Sequence, residues 1–325
     1  MMNVKRLEKE SSFEYMLRLV LAKRNKDTNL GWDEMAELLD GEYGSGEYLR
    51  KLAYGIYEYD NYLNGNENKH VASRILCLSD LHIPFNLPLE TFEKYKGKVD
   101  VLVLNGDIVD MQALSKFPKA YRVSPMEELI EGRAFIISLL DYLKPKKVIA
   151  INGNHDLRFG AYFQKHLDSE ALELMPNSPL ELIFMDGFKW YDKRHKQKNE
   201  YKALKEVYPE VEFIYPDDWK YQLGDTMFAH PNAYSSQPLK TADKAFDWFL
   251  KSGYQFDNLV VSHTHKVGNY FIAGKMLYEQ GCLFDLEQNN YVDGKLTTPQ
   301  SCGYIYFEQN TKGSTVNVKQ EYIKN

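Results

Sequence analysis

Histidines, carboxylates and one carboxamide recur in this chain at the ends of short runs of β-formers, two residues apart or nearly so. "NLVVSHTHKVG" presents His263 and His265, and "RILCLSD" runs on into Asp80 and His82. "VDVLVLNGD" delivers Asp107 with Asp110 just beyond, "KKVIAINGN" delivers Asn154 with His155 and Asp156, and "DTMFAHP" delivers His230. Neutral imidazoles suit borderline transition metals, while carboxylate and amide oxygens suit harder ions. A mixed set therefore favours manganese, iron or zinc over calcium or magnesium alone. Two cations about 4 Å apart repel strongly unless an anionic ligand sits between them, and Asp107 is the natural bridge. Residues i and i+2 of an extended segment face the same side, so alternation predicts that Asp80 with His82, and His263 with His265, reach into one pocket. A single buried histidine such as His230 is more often a satisfied core residue than a ligand, and it is the set that carries the signal.

Those residues need strands to hold them. The runs leading to Asp80, Asp107 and Asn154 are almost continuously apolar, as parallel strands covered on both faces are. Between them lie "PLETFEKYKGK" and "PMEELIEGRAFIISLLDYLK", both with helical spacing. Strand, helix, strand, helix, strand implies right-handed βαβ crossovers in a layered α/β domain, whose ligand crevice lies beyond the carboxyl ends of the strands. After His265, "NYFIAGKMLYEQGCLF" reads as strand, and "CGYIYFEQNTKGSTVNVKQEYI" as a hairpin turning at Asn310 to Gly313.

The 325 residues are 44% hydrophobic and 14% aromatic, enough for a sizeable core. A net charge of −6 gives no global attraction to phosphate backbones or anionic lipid. The chain has no apolar run of membrane length and its start has no apolar core of a secretory signal, so it is expected in the cytoplasm and off the membrane. Cys77, Cys282 and Cys302 are widely spaced and odd in number, which fits buried thiols in a reducing compartment. Nothing in the sequence speaks to the number of subunits.

"SDLH", "NGDIVD", "NGNHD", "AHP" and "SHTH" stand in the order, and at roughly the spacing, of the five blocks of the calcineurin-like metallophosphoesterases, which the chain resembles over most of residues 73–270. The resemblance, to phage and bacterial members in particular, implies an α/β fold, a β-sandwich flanked by α-helices over residues 71–325. It also implies two divalent metal ions, manganese foremost, with iron, zinc or nickel as alternatives. Asp80, His82, Asp107 and His265 would hold one ion, and Asp107, Asn154, His230 and His263 the other. His155 would serve as general acid or phosphate contact, with Asp110 orienting it. Ser262 stands where the family usually has glycine, which an extended backbone tolerates. A phosphoester repels nucleophiles; paired cations on its oxygens reduce that repulsion and lower the pKa of a shared water, which attacks phosphorus in line. His155 would then protonate the leaving alkoxide. Arg158 either contacts the phosphate oxygens or pairs with a neighbouring carboxylate, and Asp110 and Asp156 could each simply cap a turn. His70, His166 and His195 fall outside every block.

Residues 1–70 form a separate helical piece. Apolar spacing predicts helices around "SSFEYMLRLVLAKRN", "WDEMAELLD" and "EYLRKLAYGIYEYDNYL", with "NGNENKHVAS" as a linker. The last two helices resemble a helix-turn-helix of phage and mobile-element proteins. With ten Lys/Arg against thirteen Asp/Glu in residues 1–69, a net −3, docking or oligomerisation is favoured over DNA reading. Residues 157–225 are long enough for a cap. Within them, Lys189, Lys193, Arg194, Lys196, Lys198, Lys202 and Lys205 interleave with Trp190, Tyr191 and Tyr201, either as a solvated lysine-rich helix or as a grip on single strands. The expected activity is a metal-dependent phosphodiesterase or nuclease acting on a phosphoester of DNA, RNA or nucleotides. The alternatives are a phosphomonoesterase, or a DNA- or partner-binding regulator that keeps a metal domain for structure.

Overall fold

The computed structural model describes residues 5–24, 27–69, 71–115, 124–193, 195–288 and 298–324, with the side chains of 60–69 left aside. The chain divides into two compact units, residues 1–69 and 70–325.

The first unit consists of α1 (Ser12–Arg24), α2 (Trp32–Leu38) and α3 (Gly46–Lys69). Met16, Leu19 and Val20 recur at helical spacing on α1 and bury completely with Met35, Leu49 and Ala53. The Glu34 carboxylate accepts from the Gly31 backbone N–H at 2.6 Å and so fixes the start of α2. One expectation fails here: the polar segment read as a linker continues α3 as far as Lys69. Asn and Gly cost a helix interior at most about 1 kcal/mol each, which the rest of a 24-residue ladder outweighs.

The second unit is a β-sandwich between helices. One sheet has the order β13 (Thr315–Ile323), β12 (Cys302–Gln309), β1 (Ser73–Leu78), β2 (Val101–Asn105), β3 (Lys147–Ile151), β6 (Glu212–Ile214), with β1, β2, β3 and β6 parallel. The other has the order β10 (Val267–Ile272), β11 (Lys275–Gln280), β9 (Asn258–Val261), β8 (Thr226–Ala229), β7 (Lys220–Leu223). Alternation explains why the central strands are apolar throughout. Ile75, Cys77, Val101, Val103, Ile149, Ile151 and Phe307 face Phe228 and Val260 between the sheets. Their neighbours Leu76, Leu78, Leu102, Leu104 and Val148 face outward onto α4 (Pro125–Leu143), through Leu129, Ile136, Leu139 and Leu140. On the far side Met227, Ala229, Leu259 and Val261 receive Phe246 and Phe249 of α9 (Lys240–Lys251). Each such buried side chain contributes about 1.5–3 kcal/mol. The start of α4 is set by Ser124, whose hydroxyl accepts from Glu127 N at 3.2 Å while Glu127 accepts from Ser124 N at 3.0 Å.

Residues 157–225 hold α5 (Arg158–His166), the short turns α6 (Ser169–Leu172), α7 (Pro179–Glu181) and α8 (Leu204–Val207), and a hairpin of β4 (Phe188–Asp192) and β5 (Gln197–Tyr201). The same segment also supplies β6 to one sheet and β7 to the other. Apart from Lys205 in α8, the lysine-rich stretch is therefore no helix. Phe188, Trp190 and Tyr201 are partly covered on one face, with Lys189, Tyr191 and Lys198 exposed on the other, a period of two that strands satisfy. Arg194 lies outside the described residues. "PLETFEKYKGK" likewise forms a 3-10 segment, Leu89–Tyr95, kinked at Phe92 (φ −106°). Bounded by Pro88 and Gly97, it is too short to propagate an α-helix. The predicted hairpin of β12 and β13 is present and antiparallel. Among the described residues no helix is long and apolar enough to cross a membrane, and all three cysteines are buried.

Candidate metal centre

The candidate residues sit just past the carboxyl ends of β1, β2, β3, β8 and β9, so both sheets contribute. Ligand-type atoms of Asp80, His82, Asp107 and His265 lie within 4.8 Å of one another, and so do those of Asp107, His230 and His263, with Asp107 common to both groups. Alternation is not what aims them. Asp80 (φ 49°), His82 (46°), Asp107 (53°), His263 (77°) and His265 (53°) all take left-handed backbone, so each chain kinks twice rather than running extended. Such geometry costs of order 1–3 kcal/mol per residue and persists where surrounding structure imposes it. Ser262, by contrast, is not among the positive-φ residues; its hydroxyl accepts from Asn105 Nδ2 at 2.7 Å, and glycine is not needed there.

Two glycines are required by close approach. A Cβ on Gly106, itself at φ 84°, would stand 2.4 Å from His230 Nδ1. One on Gly153 would stand 2.2 Å from both the backbone N and Oδ1 of Asp107.

Polar anchors orient the side chains. His230 Nδ1–H donates to the Asn105 carbonyl at 2.8 Å, turning Nε2 toward Asp107 Oδ2, 3.3 Å away. Asp80 Oδ2 accepts from Ser79 Oγ at 2.7 Å. Gln300 Nε2 lies 2.7 Å from His265 Nδ1, with His265 Nε2 3.1 Å from Asp80 Oδ1. The Asp156 carboxylate is buried and accepts from the backbone N–H groups of Val109 (3.1 Å), Ile108 (3.2 Å) and Gly153 (2.9 Å), tying the second and third blocks together. It caps a turn, but across two strands. Of these anchors Asn105, Asp156 and Ser79 lie inside or beside the motifs and could have been suspected, whereas Gln300 has no signal in sequence.

Asp110 Oδ1 accepts from His155 Nδ1 at 2.6 Å and from His82 Nδ1 at 2.9 Å, so it serves two histidines where one was expected. His155 also donates its backbone N–H to Asp107 Oδ1 at 2.7 Å. Arg158 Nη2 donates to His155 Nε2 at 2.9 Å and Nη1 to the Asp110 carbonyl at 2.9 Å, with Asp110 Oδ1 at 3.8 Å. The guanidinium thus braces the histidine and its partner. His166 and His195 are exposed and outside the centre; His70 lies outside the described residues.

Electrostatically the pocket seeks positive charge. Burial works against the charge on His230, yet Asp107 and Asp80 outweigh it and lift its pKa to about 9. Burial would raise Asp107, but His230, His155 and His82 hold it well below the usual carboxylate range. Burial and the nearby His230 lower His263 to about 4, leaving it neutral. Burial, with Asp107 adding, pushes Asp156 to about 7. Asn154 Oδ1 and His263 Nδ1 are buried without a hydrogen bond, and Asp80 Oδ1, Asp107 Oδ2 and His230 Nε2 are buried with no hydrogen bond of good geometry, only the His265–Asp80 and His230–Asp107 contacts above. Unsatisfied buried acceptors cost about 1–3 kcal/mol each, and a set of them converging from five strands fits cation coordination. His/Asp/Asn chemistry suits manganese, iron or zinc.

The calcineurin-like phosphoesterase family model matches residues 73–267. The chain belongs to this family and is a metal-dependent phosphoesterase. Similar solved structures include vacuolar protein sorting 29 from Cryptosporidium parvum, 16% identical with a TM-score of 0.38, covering 79% of this chain and 100% of its own. A novel archaeal phosphodiesterase is 16% identical with a TM-score of 0.37, covering 77% and 99%. A metallophosphoesterase from Sphaerobacter thermophilus is 16% identical with a TM-score of 0.38, covering 78% and 89%. No curated protein matches the chain.

Proposed function

We propose that the chain is a phosphodiesterase or nuclease with a dinuclear centre, manganese foremost, in which Asp80, His82, Asp107 and His265 hold one ion and Asp107, Asn154, His230 and His263 the other. The observation that carries this reading is the pair of ligand groups sharing Asp107. A pair of cations there would screen the phosphate charge and make water a competent nucleophile at neutral pH. The protein's own part is then positional. Asp107 and Asp80 set the spacing, and Asn105 and Gln300 fix which imidazole nitrogens face inward. Asp110 holds His155 at Nδ1 so that Nε2, once freed from Arg158 and protonated from solvent, faces the leaving oxygen and passes that proton to it. Arg158, which rests on that nitrogen, is the group an incoming phosphate would draw off.

A diester is favoured over a monoester because Asn154 and Arg158 also line a groove along α5, which would give room for a second ester arm. The test is to assay purified protein with manganese on bis(p-nitrophenyl) phosphate, p-nitrophenyl phosphate, and labelled single- and double-stranded DNA. Turnover of both the bis-ester and DNA is expected. Activity confined to the monoester would remove the diesterase reading.

A further inference from the structure

The groove that opens at Asn154 is lined by one face of α5, where Arg158, Ala161, Tyr162, Lys165 and His166 follow at helical spacing. Among the described residues none that lines it is acidic, although the chain as a whole carries −6. Tyr162 is 43% exposed, and its ring lies 4.4 Å from that of His166, tilted by 42°. A cation, an open aromatic pair and a second cation thus succeed one another away from the centre. Lys165 is seven residues beyond Arg158, about 10 Å along the axis at ~1.5 Å per residue, which leaves room for a base to lie between two backbone contacts.

We infer that this face of α5 is a binding site for single-stranded nucleic acid, with the strand leaving the metal centre past Arg158, a base stacked on Tyr162 and His166, and a following phosphate on Lys165. The inference rests on the diesterase reading for its direction, but the charge and stacking surface are properties of the helix alone. Stacking on aromatic rings beside a cationic track holds unpaired bases without regard to sequence. A duplex keeps its bases stacked on each other and cannot use Tyr162.

The test is fluorescence anisotropy of a labelled oligothymidylate on the full chain in EDTA, which separates binding from turnover. Tyr162→Ala and Lys165→Ala are each compared with Lys251→Ala, a charge loss on α9 where the lysine side chain is 79% exposed. Tyr162→Ala is expected to weaken binding roughly tenfold. Lys165→Ala is expected to weaken it and to reduce the slope of log Kd against log salt by about 0.7, one phosphate contact fewer on a single strand. Thermal melts of both variants report folding. With manganese, the ratio of kcat/KM for the oligonucleotide to that for bis(p-nitrophenyl) phosphate is expected to fall about tenfold in both. Effects no larger than that of Lys251→Ala, an unchanged salt slope, or a duplex bound as tightly as the single strand would overturn the site. Loss of all diester turnover in the unaltered protein would instead count against the proposed function, and leaves the EDTA binding result to stand for itself.

Discussion

A single carboxylate oxygen, Asp110 Oδ1, accepts hydrogen bonds from two imidazoles, His82 Nδ1 at 2.9 Å and His155 Nδ1 at 2.6 Å. The two rings stand edge to face with centroids 4.3 Å apart. One group therefore fixes both a proposed metal ligand and the proposed acid. Asp110→Asn removes the charge that keeps both Nδ1 protons in place. Manganese affinity, followed by titration calorimetry, is expected to fall about 10–100-fold, together with a drop of 10²-fold or more in turnover of the bis-ester. Unaltered affinity beside a lost rate would confine Asp110 to His155.

Asp107 and His155 are expected to separate binding from rate. Asp107→Ala removes the carboxylate common to both ligand groups, and elemental analysis should find at most one ion per chain and no turnover. His155→Ala should retain two ions and lose about 10²–10⁴ of the rate. A metal-free His155→Ala protein would contradict that division.

Gly106 and Gly153 are expected to tolerate no side chain. Because an added methyl would lie 2.4 Å from His230 Nδ1 at Gly106, and 2.2 Å from the Asp107 backbone N at Gly153, Gly106→Ala and Gly153→Ala should each cost about 1–3 kcal/mol in chemical denaturation. Both should lower the metal content. Wild-type loading in either variant would show that the strand ends can move apart without loss.

Glu128 of α4 is fully buried and accepts from Gln112 N at 2.7 Å and Ala113 N at 3.1 Å, bracing the turn that follows Asp110. Burial pushes its pKa to about 7, from an ordinary 4.5. Since the folded-state value is the higher, its contribution to stability is complete below pH 4.5 and is lost as pH rises through 7. Between pH 5 and 8 the wild type should therefore lose roughly 2 kcal/mol through this group. Glu128→Gln cannot titrate, and its urea midpoint should fall less over the same range. Parallel pH profiles for the two proteins would refute this.

Much of this was legible in the sequence, because chemistry and strand pattern were local. The parallel strands showed as apolar runs since both faces are covered, and the ligand types stood at their ends. Two things were hidden. The left-handed turns at Asp80, His82, Asp107, His263 and His265 leave no trace in residue type, so strand alternation was the wrong cause for a convergence that nevertheless exists. Gln300 and Glu128 reach the centre or its brace only through tertiary contact. The lysine-rich hairpin and the extended α3 were misjudged where composition outweighed periodicity.

The proposed ligands divide between two separate sheets, Asp80, His82, Asp107 and Asn154 on one and His230, His263 and His265 on the other. A cation gripped by both would act as a rivet through the seam, on ligands whose spacing follows from how the sheets stack. Trimming a side chain deep in that seam, such as Phe228→Leu, should thus be felt first as loosened ion retention, well before the sandwich itself comes apart.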